Sequence, residues 1–143
     1  MPRKRTWDIS HPHGYVARAK SFACAARVLS EHHKTDFTPY LFCLGHATEV
    51  ALKGFLVLKG VKERTFPRNP GHDLVKGWHQ AVALGAPIPP NPPQWCELVN
   101  VPHSAPYDAR YPRANLLMGL PDRVIALKGI DDLVAALEAE VLK

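Results

Sequence analysis

The pattern of hydrophobic positions divides this chain into helices separated by polar or proline-rich stretches. Over residues 12–33, apolar side chains recur at alternating spacings of four and three, at Tyr15, Ala19, Phe22, Ala26 and Leu29. This spacing places them on one face of a helix. Residues 38–60 are almost continuously apolar, with Thr38 as a cap, Pro39 at the first helical position and Gly60 as a left-handed end. We expect these two long helices to form the spine of the fold.

Three shorter helices follow the two long ones. Their predicted ranges are residues 72–84, 94–101 and 130–141. Between the first two of these, five prolines within residues 87–93 exclude a helix and predict a stiff connector. Residues 102–123 are also rich in proline, and residues 124–127 fit either a short strand or a helical turn. The chain therefore predicts an all-α antiparallel bundle of about four to five helices, a single domain over residues 12–143 after an irregular start at residues 1–11.

A row of polar side chains interrupts the second long helix. His46, Glu49 and Lys53 follow one another at spacings of three and four, so they share one face. Each must find a partner or reach water, because an unpaired buried charge is costly. Two interpretations stay open. One is a groove that binds an anionic ligand through Lys53, and the other is a set of internal pairs, Glu49 with Lys53 or Glu49 with Arg110. The same charges make this helix expensive to place in a membrane, so the sequence predicts a soluble protein.

The charge balance and the cysteines restrict the compartment and the partners. The formal net charge is +5, which permits an anionic partner such as RNA. The three cysteines, Cys24, Cys43 and Cys96, form no CxxC pair, and no secretory apolar segment follows the basic start. These features predict reduced thiols in a cytoplasm. Cys24 and Cys43 fall within helical patterns and are predicted to be small core residues.

Three short strings resemble the HEPN superfamily (higher eukaryote and prokaryote nucleotide-binding domains). They are Glu49-Val-Ala-Leu-Lys53, then Gly71-His72-Asp73-Leu74, then Arg110-Tyr111-Pro112. The resemblance implies a small antiparallel helical bundle that dimerises through its long helices. It also implies a prokaryotic cytoplasmic protein of a toxin–antitoxin or defence system. Many members of the superfamily are RNA endonucleases, whereas others bind partners such as small nucleotidyltransferases.

The chain departs from the catalytic signature of that superfamily, an arginine followed by histidine after four to six residues on a late helix. Only two early matches occur, Arg5 to His11 and Arg27 to His32. The interpretation we favour is therefore a binding or regulatory protein, a homodimer that binds a nucleotide or RNA and is not catalytic. Two alternatives stay open, a metal-independent RNA endonuclease with a displaced Arg/His site and a nucleotide-sensing binder of small ligands.

The candidate site residues follow from these strings and from the polar row. The ligand-binding candidates are His46, Glu49, Lys53, His72, Asp73, Arg110 and Tyr111. The catalytic candidates are Arg27, His32 and His72, since histidine transfers protons near neutral pH and arginine stabilises phosphate charge. An arginine between tyrosines also suits base stacking with phosphate pairing, although an internal tie fits equally well. No cofactor is predicted, and no metal, because the helical His46-x-x-Glu49 pair has no matching HxxE or ExxH elsewhere.

Overall fold

The computed structural model describes residues 11–32, 37–105, 107–111 and 119–143, and within them the secondary structure is entirely helical. The five α-helices are α1 (Pro12–Glu31), α2 (Thr38–Leu58), α3 (Leu74–Ala83), α4 (Gln94–His103) and α5 (Arg123–Val141). A short 3₁₀ helix, Glu63–Thr65, lies between α2 and α3. The predicted all-α bundle of four to five helices is confirmed.

Helix α2 lies at the centre of the bundle and packs against each of the other four helices. Its contact with α1 is the most extensive, because small side chains of α1, Ala19, Ala23 and Ala26, allow close approach. Among the described residues, only α2 is long and apolar enough to cross a membrane, yet 72% of its apolar window is buried within the fold. That burial is typical of the core helix of a soluble protein.

Glycines end α2 and α3 as the sequence indicated, but Thr38 is the first residue of α2 and not its cap, since the N-cap position is held by Phe37 without a side-chain bond. Gly60 follows α2 with φ of +88°, and the next amide, of Val61, donates to the Leu56 carbonyl at 3.0 Å. Gly85 follows α3 with φ of +91°. Asp73, expected in the first turn of the third helix, is instead its N-cap, where its carboxylate accepts from the Lys76 amide at 3.1 Å.

Helix α5 is longer than predicted because its true start was missed. It begins at Arg123, and the Asp122 side chain caps it by accepting from the Ile125 amide at 3.0 Å. Residues 124–127 are therefore helical, not a strand. Gly129, just before the predicted start at residue 130, lies inside α5, where a β-carbon would stand 2.2 Å from Nε1 of Trp95. The glycine serves close packing of α4 on α5 and does not end the helix.

The cysteines occupy three different environments. Cys24 is exposed, so its assignment to the core was wrong, because it lies on the outer face of α1. Cys43 is half-buried, and burial raises the pKa of its thiol. Cys96 is fully buried in α4, where burial, followed by the nearby Glu97 and Asp73 charges, raises the pKa of its thiol to about 12. Neither of the latter two thiols is activated as a nucleophile.

The close contact at Gly129 predicts a specific destabilisation. Gly129→Ala forces the Trp95 indole away from α5, and we expect a loss of about 2 kcal/mol of unfolding free energy. Gly77→Ala is the matched control, because a β-carbon there meets its nearest neighbours at 3.6 Å, an ordinary contact. Urea denaturation of both variants measures the difference. Equal stabilities would contradict this account of the α4–α5 packing.

Candidate functional site

The carboxylate of Glu49 is the centre of a buried polar cluster. Its side chain on α2 is only 8% exposed. Lys53, one turn later, donates from Nζ to Oε2 at 3.1 Å. His72 and His103 both contact Oε1, through Nδ1 at 2.7 Å and through Nε2 at 2.9 Å respectively. We call Glu49, Lys53, His72 and His103 the Glu49 cluster, and it joins α2, the segment before α3, and α4.

His72 connects this cluster to the surface. Because a carboxylate only accepts hydrogen bonds, Nδ1 of His72 carries the proton that it donates to Glu49. Its other ring nitrogen, Nε2, remains available to a ligand, and 36% of the side chain is exposed. His72 and Glu49, both named as ligand-binding candidates from the sequence, are thus in direct contact. The arrangement holds an imidazole in a fixed tautomer with its second nitrogen free of Glu49.

His103 is the member of the cluster that sequence reasoning missed. Its side chain is 0% exposed, and its Nδ1 has no hydrogen-bond partner within the described part of the chain. The ring packs directly on α2 at Gly45, where a β-carbon would lie 2.5 Å from that Nδ1. The fourth helix was predicted to end at residue 101, so His103 was assigned to a proline-rich loop. The sequence did not indicate His103 as a partner of Glu49, because no spacing rule links positions 49 and 103.

Hydrogen bonds and charge together keep Glu49 ionised. Burial acts to raise the pKa of Glu49, but the hydrogen bond from His103, the Lys53 ammonium and the hydrogen bond from His72 outweigh it. The pKa of Glu49 therefore lies well below its ordinary value. The carboxylate remains a fixed negative charge at physiological pH and does not act as a proton donor.

Arg110 does not join the Glu49 cluster, contrary to the pairing considered from sequence. Its guanidinium lies over two aromatic rings, 5.3 Å from the Phe42 centroid and 5.7 Å from the Tyr107 centroid. The side chain is exposed. Tyr107 also meets the His72 ring edge to face at 5.5 Å. These four residues, Phe42, His72, Tyr107 and Arg110, form a continuous surface that we call the aromatic–arginine strip.

The other predicted ligand-binding residues have varied positions. His46 stacks on Phe42 with centroids 5.6 Å apart, outside the hydrogen bonds of the Glu49 cluster. Burial, more than any neighbouring charge, lowers the pKa of His46. Tyr111 is 64% exposed. Asp73 accepts from Asn100 Nδ2 at 3.2 Å besides capping α3, so it ties α3 to α4.

A cleft opens beside the cluster on the side of Lys53 and His72. Its volume is about 300 Å³, and its lining includes Tyr15, Lys53, Glu63, Phe66 and His72. The Lys53 ammonium lies 5.5 Å from the centroid of the Phe66 ring. Burial, and then the nearby Glu63 carboxylate, raise the pKa of the Tyr15 phenol, which keeps it protonated. The cleft thus presents one cation, one carboxylate, one imidazole and one phenol to a ligand.

The early Arg/His pair lies elsewhere in the bundle. Arg27 forms an ion pair with Asp131 of α5. His32 is the exposed C-cap residue of α1. Arg5, of the other early match, lies outside the described residues. Since Arg27 already pairs with a carboxylate, this location offers less to a phosphate than the aromatic–arginine strip does.

Three members of the cluster carry donor atoms suited to a metal ion. One atom each from Glu49, His72 and His103 lies within 4.8 Å of the other two. The set comprises two imidazole nitrogens and one carboxylate oxygen, a combination found around zinc and iron. The sequence indicated no metal because these donors come from three separate elements.

Comparison with protein-family models, curated proteins and solved structures finds no match to this chain.

The ionised state of Glu49 predicts how stability depends on pH. Folding lowers the pKa of Glu49 from its ordinary value of 4.5. The ionised carboxylate therefore contributes fully to the free energy of unfolding above about pH 4.5, and this contribution is lost progressively as the pH falls below that value. Glu49→Gln should cost about 3 kcal/mol at pH 7, since it leaves buried donors without a charged acceptor. The difference in unfolding free energy between this variant and the unmodified protein should become smaller towards pH 3, as measured by urea denaturation.

The control for this prediction is Glu138→Gln, which removes the surface carboxylate that pairs with Lys20. Such surface pairs contribute about 0–1 kcal/mol, so its stability at pH 7 should stay close to that of the unmodified protein. If both variants lose the same amount at pH 7, the Glu49 cluster does not stabilise the fold in this way.

Proposed function

We propose that the chain is a HEPN-like binding protein that holds a nucleotide unit, free or within single-stranded RNA, on the aromatic–arginine strip. The observation that carries the proposal is the exposed Arg110 guanidinium between the rings of Phe42 and Tyr107. Aromatic faces stack on bases of any sequence, and arginine forms paired hydrogen bonds with phosphate. The adjoining imidazole of His72 extends the same surface towards the cleft.

Charge supports an anionic ligand. The chain carries a net charge of +5. Within the site, Glu49 is already neutralised by Lys53, so the outward-facing groups are His72 and Arg110. A phosphate on the strip therefore meets Arg110 and His72, whereas the Glu63 carboxylate lines the cleft beyond His72.

The biological setting remains part of the proposal and rests on the resemblance of the three sequence strings. We infer a prokaryotic cytoplasmic homodimer of a toxin–antitoxin or defence system. In that setting the protein regulates or assists a partner, such as a small nucleotidyltransferase, and does not cleave RNA itself. The absence of a late Arg-x4–6-His from the sequence favours this role over catalysis.

A binding measurement tests the strip directly. We expect Arg110→Ala to weaken binding of a fluorescent single-stranded RNA of mixed sequence by about tenfold, because one stacking and phosphate contact is lost. The measurement is fluorescence polarisation in EDTA at several salt concentrations, and the salt slope should fall by about one. Competition with mononucleotides shows whether a single unit suffices.

The matched control is Lys128→Ala, which removes the same charge from α5, where Lys128 pairs with Asp132 at 2.5 Å. Its affinity should be nearly unchanged. Equal losses of RNA affinity in the two variants would show that RNA binding depends on net charge alone and not on the aromatic–arginine strip.

A second function, metal-independent RNA cleavage, is favoured by one observation. The Glu49 bond to Nδ1 leaves Nε2 of His72 able to accept a proton from a ribose hydroxyl. Arg110, beyond Tyr107 on the same surface, would stabilise phosphate charge. This arrangement is a better candidate than Arg27 with His32, because Arg27 is paired with Asp131.

Incubation with RNA in EDTA separates the two functions. The binding proposal expects intact RNA on a denaturing gel after prolonged incubation. Cleavage that His72→Gln abolishes, and that His32→Gln leaves unchanged, would replace the binding proposal with the nuclease. His72→Gln is suited to this purpose because its side chain is partly exposed and the substitution should leave the core intact.

A further inference from the structure

We propose that Glu49, His72 and His103 form a binding site for one divalent transition-metal ion of the zinc and cobalt class. The three donors come from α2, from the segment preceding α3, and from α4, and they converge within 4.8 Å. This inference goes beyond nucleotide binding and does not depend on it. It assigns a ligand to the buried side of the site, whereas the aromatic–arginine strip is its outer side.

The donor chemistry favours zinc or cobalt over magnesium or calcium. Two imidazole nitrogens and one carboxylate oxygen suit borderline metals, whereas hard cations prefer oxygen ligands alone. Three protein ligands also leave a fourth position for water or substrate, as in catalytic zinc sites. That position would face the cleft, because His72 is the exposed member of the three and lines the cleft wall.

Two of the three donor separations need only a small change. The third, between His72 Nδ1 and His103 Nε2, lies within 4.8 Å and must also reach the tetrahedral separation. Glu49 Oε1 lies 2.7 Å from His72 Nδ1 and 2.9 Å from His103 Nε2. Zinc–ligand bonds of about 2.0–2.1 Å in a tetrahedron separate neighbouring donors by roughly 3.3 Å, so each of these two distances must grow by about 0.5 Å. The ion would take the place of the proton on His72 Nδ1 and of that on His103 Nε2, and each neutral imidazole would then carry its proton on its other ring nitrogen. His103 is already held in place against Gly45, which reduces the ordering needed on binding.

Lys53 provides a test that separates metal binding from a purely structural cluster. Its ammonium lies 3.1 Å from Glu49 Oε2 and repels a cation at the neighbouring oxygen. Lys53→Met should therefore raise zinc affinity several-fold. If the cluster serves only to stabilise the fold, the same substitution leaves zinc affinity unchanged and lowers stability alone.

A competing site must be removed before the measurement. His11 and His13 stack at 4.7 Å near the start of α1 and can bind metal ions by themselves. We would therefore use the full chain carrying His11→Gln and His13→Gln as the background for every variant. Zinc affinity is measured by isothermal titration calorimetry, and the visible absorption of bound Co²⁺ reports its coordination.

In this background we expect one zinc ion per chain at the site. His72→Gln and His103→Gln should each weaken its binding at least tenfold and change the Co²⁺ spectrum. His79 is an exposed histidine of α3, and the His79→Gln variant should bind zinc with the same affinity as the background protein. Because His103 is buried, the zinc affinity of the His103→Gln variant is interpreted only when circular dichroism shows the native helix content. If that variant is misfolded, the His72→Gln variant decides the question.

Zinc affinity that is equal in the background and in His72→Gln would overturn the proposal, as would the absence of binding at millimolar zinc. Neither result bears on the RNA measurement, which is made in EDTA. Conversely, loss of the Arg110 effect on RNA binding would leave the metal proposal intact.

Discussion

One buried carboxylate constrains the arrangement of this bundle. Glu49 lies on the central helix with its charge almost excluded from water. An uncompensated charge in that position would cost several kcal/mol, so the fold must bring donors to it. It does so with Lys53 from the same helix and with two imidazoles from other elements. The positions of α4 and of the chain before α3 are therefore tied to a single oxygen atom, Oε1 of Glu49.

The same constraint gives the site its two sides. Inside, His103 and Gly45 are in close contact and leave no room for solvent. Outside, the bond from His72 to Glu49 fixes an imidazole at the edge of the cluster, next to Tyr107 and Arg110. The buried Glu49 carboxylate thus fixes the orientation of the partly exposed His72 ring. The residues that stabilise the fold here are also those of the proposed ligand site, so changes at Glu49 should affect both.

Local periodicity predicted the helices well, whereas the composition of the site depended on contacts between distant residues. The spacing of His46, Glu49 and Lys53 placed three polar groups on α2, but only Glu49 and Lys53 bond to each other. No local pattern identified His103 as a site residue, because its partner Glu49 lies 54 positions earlier in the chain. Arg110 fitted a pair with Glu49 by charge alone, yet that carboxylate already has three donors. The start of α5 was placed near residue 130 and not at Arg123, and no sequence rule indicates that the Trp95 indole packs on Gly129.

The contact between Gly45 and the His103 ring has a consequence for how such a chain can diverge. A side chain at position 45 would overlap the imidazole, and removal of the imidazole would leave a void beside the bare helix backbone. Neither position can therefore drift independently. Descendants that keep a histidine at 103 should retain glycine at 45, and those that gain bulk at 45 should carry a smaller residue at 103, so that the two sites evolve as a coupled pair.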